Sequence, residues 1–431
     1  MPQPLPHSVR QLIVDEGFVL LGVAPAVDAL EGSPASGAGR SAGRVIDSPY
    51  AVELERLRQW IDAGYAGGMD YLSKRWDAYA DPERVLEGVR SVMVVARPYP
   101  ADGRHPADQA ANDYPDASDY HDAGDYPSAG DHSDAGGRVA RYAWSGVDYH
   151  DVMHGSLKRI VRHLCDAAGG RARGVVDTAP LLERWWAERS GLGWRAKNTL
   201  MINRRWGSYL FLAAILSTQS FANESVGDPP TNPDGHCGTC TACLDACPTD
   251  AFVQAGVLDA KRCISYLTIE HRGRIDPSLR ESIGDWVFGC DVCQEVCPWN
   301  RRRARAIEAA PMATLSLQAM LTIDDAEFRR RYRKTPFWRT RRSGMARNAA
   351  IVVGNTRPPG GVRWLSDASA DPDPVVRGTV AWALAQYVRR SPNALDPPAA
   401  SKALKMMVAQ ERDPDVSAEL LELIQSINPS D

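Results

Sequence analysis

Eight of the nine cysteines crowd into residues 237–297, at spacings suited to iron. Cys237-x₂-Cys240-x₂-Cys243-x₃-Cys247-Pro248 is the bacterial two-cluster ferredoxin run. Three thiolates on a tight loop can reach three corners of one [4Fe–4S] cube. The fourth leaves on the start of a helix and ligates the other cube. A tetrahedral zinc site wants paired CxxC knuckles and fits three cysteines at successive x₂ spacing poorly. The second run, Cys290-x₂-Cys293-x₃-Cys297-Pro298, is one thiolate short, and Cys263 is the nearby thiol left to supply it. Two cubes need eight cysteines, and the segment holds eight. Crossed ligation predicts one cluster on Cys237, Cys240, Cys243 and Cys297, and another on Cys247, Cys263, Cys290 and Cys293. Disulfides are the competing reading of an even set; thiols at metal-ligand spacing point instead to a reducing, cytoplasmic compartment. Two adjacent cubes imply one-electron input from a carrier such as flavodoxin or ferredoxin, and delivery to an acceptor elsewhere in the chain.

A ferredoxin needs only a small part of 431 residues, a length that predicts two or three domains. Hydrophobic residues at 44% and charged residues at 24% are ordinary for a soluble globular protein. No apolar run approaches the length of a membrane helix, and the first residues lack a secretion signal pattern, so neither membrane insertion nor secretion is expected. The net charge of −4 conceals a polarity: residues 101–137 sum to −8, whereas residues 301–347 sum to +9.

Helical spacing predicts helices at Val9–Glu16, Ala51–Ala63, Asp151–Ala167 and Leu181–Ser190. Strands are predicted at Phe18–Ala24, Ser91–Ala96, Gly174–Asp177 and Ser208–Leu216, so residues 1–225 read as an α/β domain. Residues 31–48 and 101–137 read as loop inserts, the second a low-complexity acidic segment whose His105, His121 and His132 belong to a solvated loop. Cys165, on the long predicted helix, reads as a small core residue. Neither GxGxxG nor GxxxxGK[ST] occurs. Residues 226–305 form the predicted ferredoxin-like two-cluster domain. Residues 306–431 combine a basic linker with an all-α tail. There, Asp371-Pro-Asp-Pro and Asp413-Pro-Asp recur at a period near forty, each before a helical pattern, and Met345–Val353 is an earlier helix. A HEAT-like repeat and an ordinary helical bundle both fit this pattern.

The segments VDTAPLLERWWAERSGLGWRAKNTLMI (Val176–Ile202), WGSYLFLAAI, CGTCTACLDACPTDAF, RCISYLTIEHRG, GCDVCQEVCPWN and DPDPVVRGTVAWALAQY together resemble the epoxyqueuosine reductase family. The likeness spans nearly the whole chain apart from the two inserts. It implies reduction of the epoxide of epoxyqueuosine in a tRNA anticodon to queuosine, the last step of queuosine biosynthesis. It also implies base-off cobalamin in the α/β domain, next to one cluster. Asp177 matches the family's proton donor, and burial beside a corrin would raise its pKa as that role needs; alone, it also reads as a helix N-cap before Leu181. By the same match, Ala140, Met201, Ser208, Ser265, Cys290 and Asp291 fall in corrin-lining segments, with Lys197 and Asn198 as further pocket residues. A reductive dehalogenase-like enzyme acting on a small organic substrate, or an electron-transfer scaffold, are the alternatives.

The basic stretches Arg301–Arg305 and Arg329–Arg342 interleave cations with Tyr332, Phe337 and Trp338. They read as a tRNA surface, with Arg neutralising phosphates and aromatics stacking on loop bases, or else as a solvated linker. His271–Arg274 is a second candidate contact. The chain departs from the family in its long acidic insert and in Trp185 and Trp186, which bear on pocket shape. Without the −8 segment the remaining chain carries +4, compatible with an RNA partner. A monomer is expected.

Overall fold

The computed structural model describes residues 2–26, 48–99, 136–226, 237–303, 312–390, 393 and 395–427. The inserts at 31–48 and 101–137, apart from Ser48 and the last two residues of the second, lie outside the described residues, as do Ala304 and Arg305. The chain divides into two compact units. One comprises Met1–Tyr114, Asp148–Ala260 and Val292–Glu308; the other comprises Pro115–Val147, Lys261–Asp291 and Ala309–Asp431.

The first unit is built on a five-stranded sheet in the order Ala172–Val175, Leu210–Ser217, Ser91–Pro98, Leu20–Pro25, Glu224–Val226. Every pairing is antiparallel, with Val94 opposite Ala214 on one side and Gly22 on the other. The unbroken apolar run of the central strand has a simple cause: both faces are covered. Val92, Val94 and Ala96 join one core with Tyr50, Leu54, Trp185 and Trp186, while Met93 and Val95 join another with Val9, Ile13, Met153 and Leu157. Trp185 and Trp186 are therefore buried core residues. Helices His7–Asp15, Pro49–Asp62, Tyr149–Ala168 and Glu183–Arg189 stand where the periodicity predicts them, with small shifts at their ends. The end of the last one seats on the sheet at Gly22, where a Cβ would lie 2.2 Å from Ser190 O. Half-buried Cys165 sits on Tyr149–Ala168.

The second unit holds a three-stranded sheet, Trp286–Phe288, Gly136–Val139, Thr314–Ser316, and the helical tail. Helix Pro374–Arg390 packs on Arg341–Thr356, and Asp396–Gln410 and Pro414–Ile427 both pack on it. The repeated Asp-Pro-Asp is a helix-starting turn. Asp371 Oδ1 accepts Asp373 N and Asp373 Oδ1 accepts Val375 N; Asp413 Oδ1 likewise accepts Asp415 N and Val416 N. Arg377 fastens the two turns through a two-pronged pair with Glu411, 2.8 Å on each prong, which holds that carboxyl at about 2.

Asp371 also grips buried Arg342 at 2.6 and 2.9 Å. Asp371→Ala would leave that guanidinium without its buried partner and remove the turn's acceptor. The expected loss is about 3–5 kcal/mol of unfolding free energy, measured by denaturant titration.

The basic linker differs from expectation in its aromatics. Tyr332 is 3% and Phe337 0% exposed; they pack on each other and on Phe328 and Phe288, so neither can stack on a base. The apolar core outcompetes solvent for their rings. Trp338 is half-buried, with Arg341 over its ring at 4.9 Å. Arg330 and Arg331 pair with Glu327, and Arg339 with Glu270. Arg329, Arg333, Lys334 and Arg341 keep exposed side chains.

Candidate functional site

Asp177 lies just past the strand Ala172–Val175, in a turn closed by Ala179 N donating to Val176 O at 2.8 Å and anchored by Arg75, which donates to Thr178 O at 2.7 Å. It is not the N-cap of the next helix, which begins at Glu183 with Leu182 preceding it. Its carboxylate meets the first turn of helix Tyr149–Ala168. Tyr149 donates its hydroxyl to Asp177 Oδ2, and His150 Nε2 lies 2.6 Å from Asp177 Oδ1. His150 Nδ1 lies 2.6 Å from Oδ1 of Asp148, the helix N-cap, whose same oxygen accepts His150 N. Tyr149 is held in place by stacking on Phe211, 4.4 Å between centroids.

The chain Asp148–His150–Asp177 places one imidazole between two carboxyls. A proton can pass between Asp148 and Asp177 through the ring, each nitrogen serving as donor or acceptor according to the tautomer. The burial expected of Asp177 is not what the protein itself supplies: its side chain is 44% exposed and faces an imidazole. Tyr149, His150 and Asp148 escaped the sequence reading. Their only signal is Asp-Tyr-His at the start of an amphipathic helix.

Glu183, six residues after Asp177, has a buried Oε1 without a hydrogen-bond partner. Burial pushes its carboxyl well above the usual range, the nearby Asp177 charge adds to the rise and Arg184 opposes it. From the ordinary glutamate pKa up to this raised value, the folded chain retains a proton that the unfolded chain releases, so stability falls as pH rises through that window. Glu183→Gln lacks this loss. Its melting temperature is expected to gain on the parent as pH is raised from acid to neutral; a pH-independent gap would contradict the assignment.

None of the nine cysteines is in a disulfide. In the first unit Cys297 joins the first run. Burial pushes the thiols of Cys243 and Cys297 up, and both are pushed further by Cys237 and Cys240. Cys247 and Cys293 belong to the same unit, whereas Cys263 and Cys290 belong to the other. Among the described residues, no three His, Cys, Asp or Glu side chains converge as ligands of one ion. A cube asks for something else, since each sulfur meets its own iron at its own corner. The lack of disulfides and the grouping of Cys297 with the first run fit such a cluster.

The corrin-lining candidates divide between the units. In the first, Asn198 is 3% exposed and donates to Cys293 O at 3.2 Å. Ser208 donates to Gln294 Oε1 at 2.8 Å and accepts Asn300 Nδ2 at 2.9 Å. Met201 is buried in a two-residue strand, and Lys197 reaches the cysteine loop. In the second, buried Asp291 accepts Arg141 N at 2.7 Å, beside buried Ala140, while Ser265 and Cys290 are half-buried. The side chains of Asn198, Ser208 and Asp291 are thus engaged within the protein. Both nitrogens of His150 face carboxylates. His271–Arg274 is occupied internally: His271 Nε2 with Arg274 O, Arg272 with three carbonyls, Arg274 with Asp413 and Glu419. No helix among the described residues is long and apolar enough to cross a membrane.

Three stretches match family patterns: residues 80–178 that of "Epoxyqueuosine reductase QueG, DUF1730", residues 236–300 a 4Fe-4S double cluster binding domain, and residues 340–425 HEAT repeats. An epoxyqueuosine reductase of Gloeobacter violaceus is 36% identical over 352 residues, 78% of this chain and 92% of the relative. One of Pseudomonas aeruginosa is 36% identical over 358 residues, 80% and 90% of the two chains. A crystal structure of epoxyqueuosine reductase with a tRNA-Tyr epoxyqueuosine-modified tRNA stem loop matches with TM-score 0.75 and 27% identity, covering 98% of each chain. The Bacillus subtilis enzyme, with its catalytic Asp loop swung out of the active site, matches with TM-score 0.73 and 26% identity over 97% of each.

Proposed function

Because the chain belongs to the epoxyqueuosine reductase family and is an oxidoreductase, we propose that it removes the epoxide oxygen of epoxyqueuosine in a tRNA anticodon stem-loop, leaving queuosine. The observation that carries this reading is the hydrogen-bonded chain at Asp177. Deoxygenation takes up two electrons and two protons: two C–O bonds break, one C=C bond forms and the oxygen leaves as water. Asp177 gives a proton to the departing oxygen, Tyr149 and His150 hold its carboxyl in place, and His150 passes it a replacement from the Asp148 side. Base-off cobalamin, when bound, supplies a reduced cobalt centre able to attack carbon. Residues 1–225 would hold it, with Lys197, Asn198, Met201 and Ser208 among the residues that line it. The eight clustered cysteines hold two [4Fe–4S] cubes within residues 226–305 and relay single electrons from a flavodoxin or ferredoxin.

Residues 306–431 help to carry the tRNA. Arg329, Arg333, Lys334 and Arg341 are the exposed cations that would meet phosphates. The protein is proposed to work as a cytoplasmic monomer. Binding of an epoxyqueuosine-bearing stem-loop, followed at several salt concentrations, tests the substrate class. Binding that weakens steadily with added salt is expected. A cobalamin-loaded protein that ignores the RNA at moderate salt would instead favour a small organic substrate.

A further inference from the structure

Lys197 stands apart from the other corrin-lining candidates. Its ammonium donates to Gly238 O at 2.6 Å and to Cys240 O at 2.9 Å, both on the loop that carries Cys237, Cys240 and Cys243. The residue is held from behind as well. Gly256 N donates to Lys197 O at 2.8 Å, and the Ala196–Leu200 turn is closed by Ala196 N to Leu200 O and Thr199 N to Ala196 O, both 2.9 Å. Thr199 takes the left-handed conformation, φ 67°, that so tight a turn requires. The neighbouring Asn198 donates to Cys293 O. Two consecutive residues of one turn thus reach two cysteine runs, the first with a full positive charge and the second with a neutral amide.

A lysine is a demanding choice if the loop needs only two hydrogen bonds, since an amide or hydroxyl could supply them. The charge distinguishes it. Four thiolates outweigh the charge of a [4Fe–4S] core, so the cluster is anionic and becomes more so on reduction. A fixed cation at the ligand loop therefore favours the reduced state, and electrostatics of this kind is a main lever on cluster potential.

We propose that Lys197 is a positioning residue that raises the reduction potential of the cluster held by Cys237, Cys240, Cys243 and Cys297. The proposal rests on the cluster reading above and requires no change at Asp177.

The test is a potentiometric titration of the anaerobically reconstituted holoprotein, followed by the electron paramagnetic resonance of its reduced clusters. Lys197→Met removes the charge and keeps the length; Lys197→Arg keeps the charge. Lys197→Met is expected to retain its iron and to shift one cluster to lower potential, leaving the other at the parent value, while Lys197→Arg stays near the parent. Should Lys197→Met fail to hold iron, Lys197→Gln decides, because its amide can still reach a carbonyl; the same downward shift is expected. Parent-like potentials in an iron-replete Met or Gln variant would overturn the proposal. Absence of any iron–sulfur signal in the parent protein would instead strike at the cluster reading itself.

Discussion

Replacing Asp177 with Asn is expected to cut epoxide reduction by about 10²–10⁴-fold, the usual contribution of a positioned general acid. The substitution is close to isosteric. Asn can still accept the Tyr149 hydroxyl and face His150, so the turn Val176–Ala179 keeps its partners. What it cannot do is give up a proton. Iron content and stem-loop affinity should therefore match the parent, and the deficit should lie in the chemical step under single-turnover conditions. Activity within a few-fold of the parent would move the proton donor elsewhere, with Glu183 as the first alternative because its buried carboxyl is pushed upward.

The second large effect concerns Cys297. It belongs by sequence to the second run, yet in the fold it is grouped with Cys237, Cys240 and Cys243. Cys297→Ala is expected to remove about half of the bound iron and nearly all turnover, because a cube with three thiolates is labile and electrons then lose one of two stepping stones. The signal that disappears should be the one that Cys240→Ala also abolishes. If Cys297→Ala instead removed the signal that depends on Cys293, each run would serve its own cluster and the crossed arrangement would be wrong. Iron analysis and paramagnetic resonance of the three variants separate the outcomes.

Local patterns carried much of this molecule in plain view. Cysteine spacing depends on loop geometry within a dozen residues, so the two runs could be read directly. The Asp-Pro-Asp turns are equally local, since each aspartate caps backbone amides two or three residues on. Helix periods placed Tyr149–Ala168 to within two residues at its start. Long-range pairing was less legible. Strand alternation did not reveal that the five-stranded sheet is antiparallel throughout, because both of its faces are buried and its strands read as continuous apolar runs. The His150–Asp177 contact joins residues 27 apart and exists only because a strand end meets a helix start. Burial of Tyr332 and Phe337 within an arginine-rich stretch was hidden for the opposite reason: composition suggests solvent, while the rings find partners in distant Phe288 and neighbouring Phe328.

The most direct test of the central claim is mass analysis of nucleosides released from an epoxyqueuosine-bearing tRNA stem-loop after incubation with reduced, cluster-replete protein, with and without cobalamin. Queuosine, lighter than its precursor by one oxygen, should form with the parent protein and cobalamin, and should be nearly absent without cobalamin or with Asp177→Asn. An unchanged epoxide in the complete mixture, with both clusters reduced and cobalamin bound, would contradict the account.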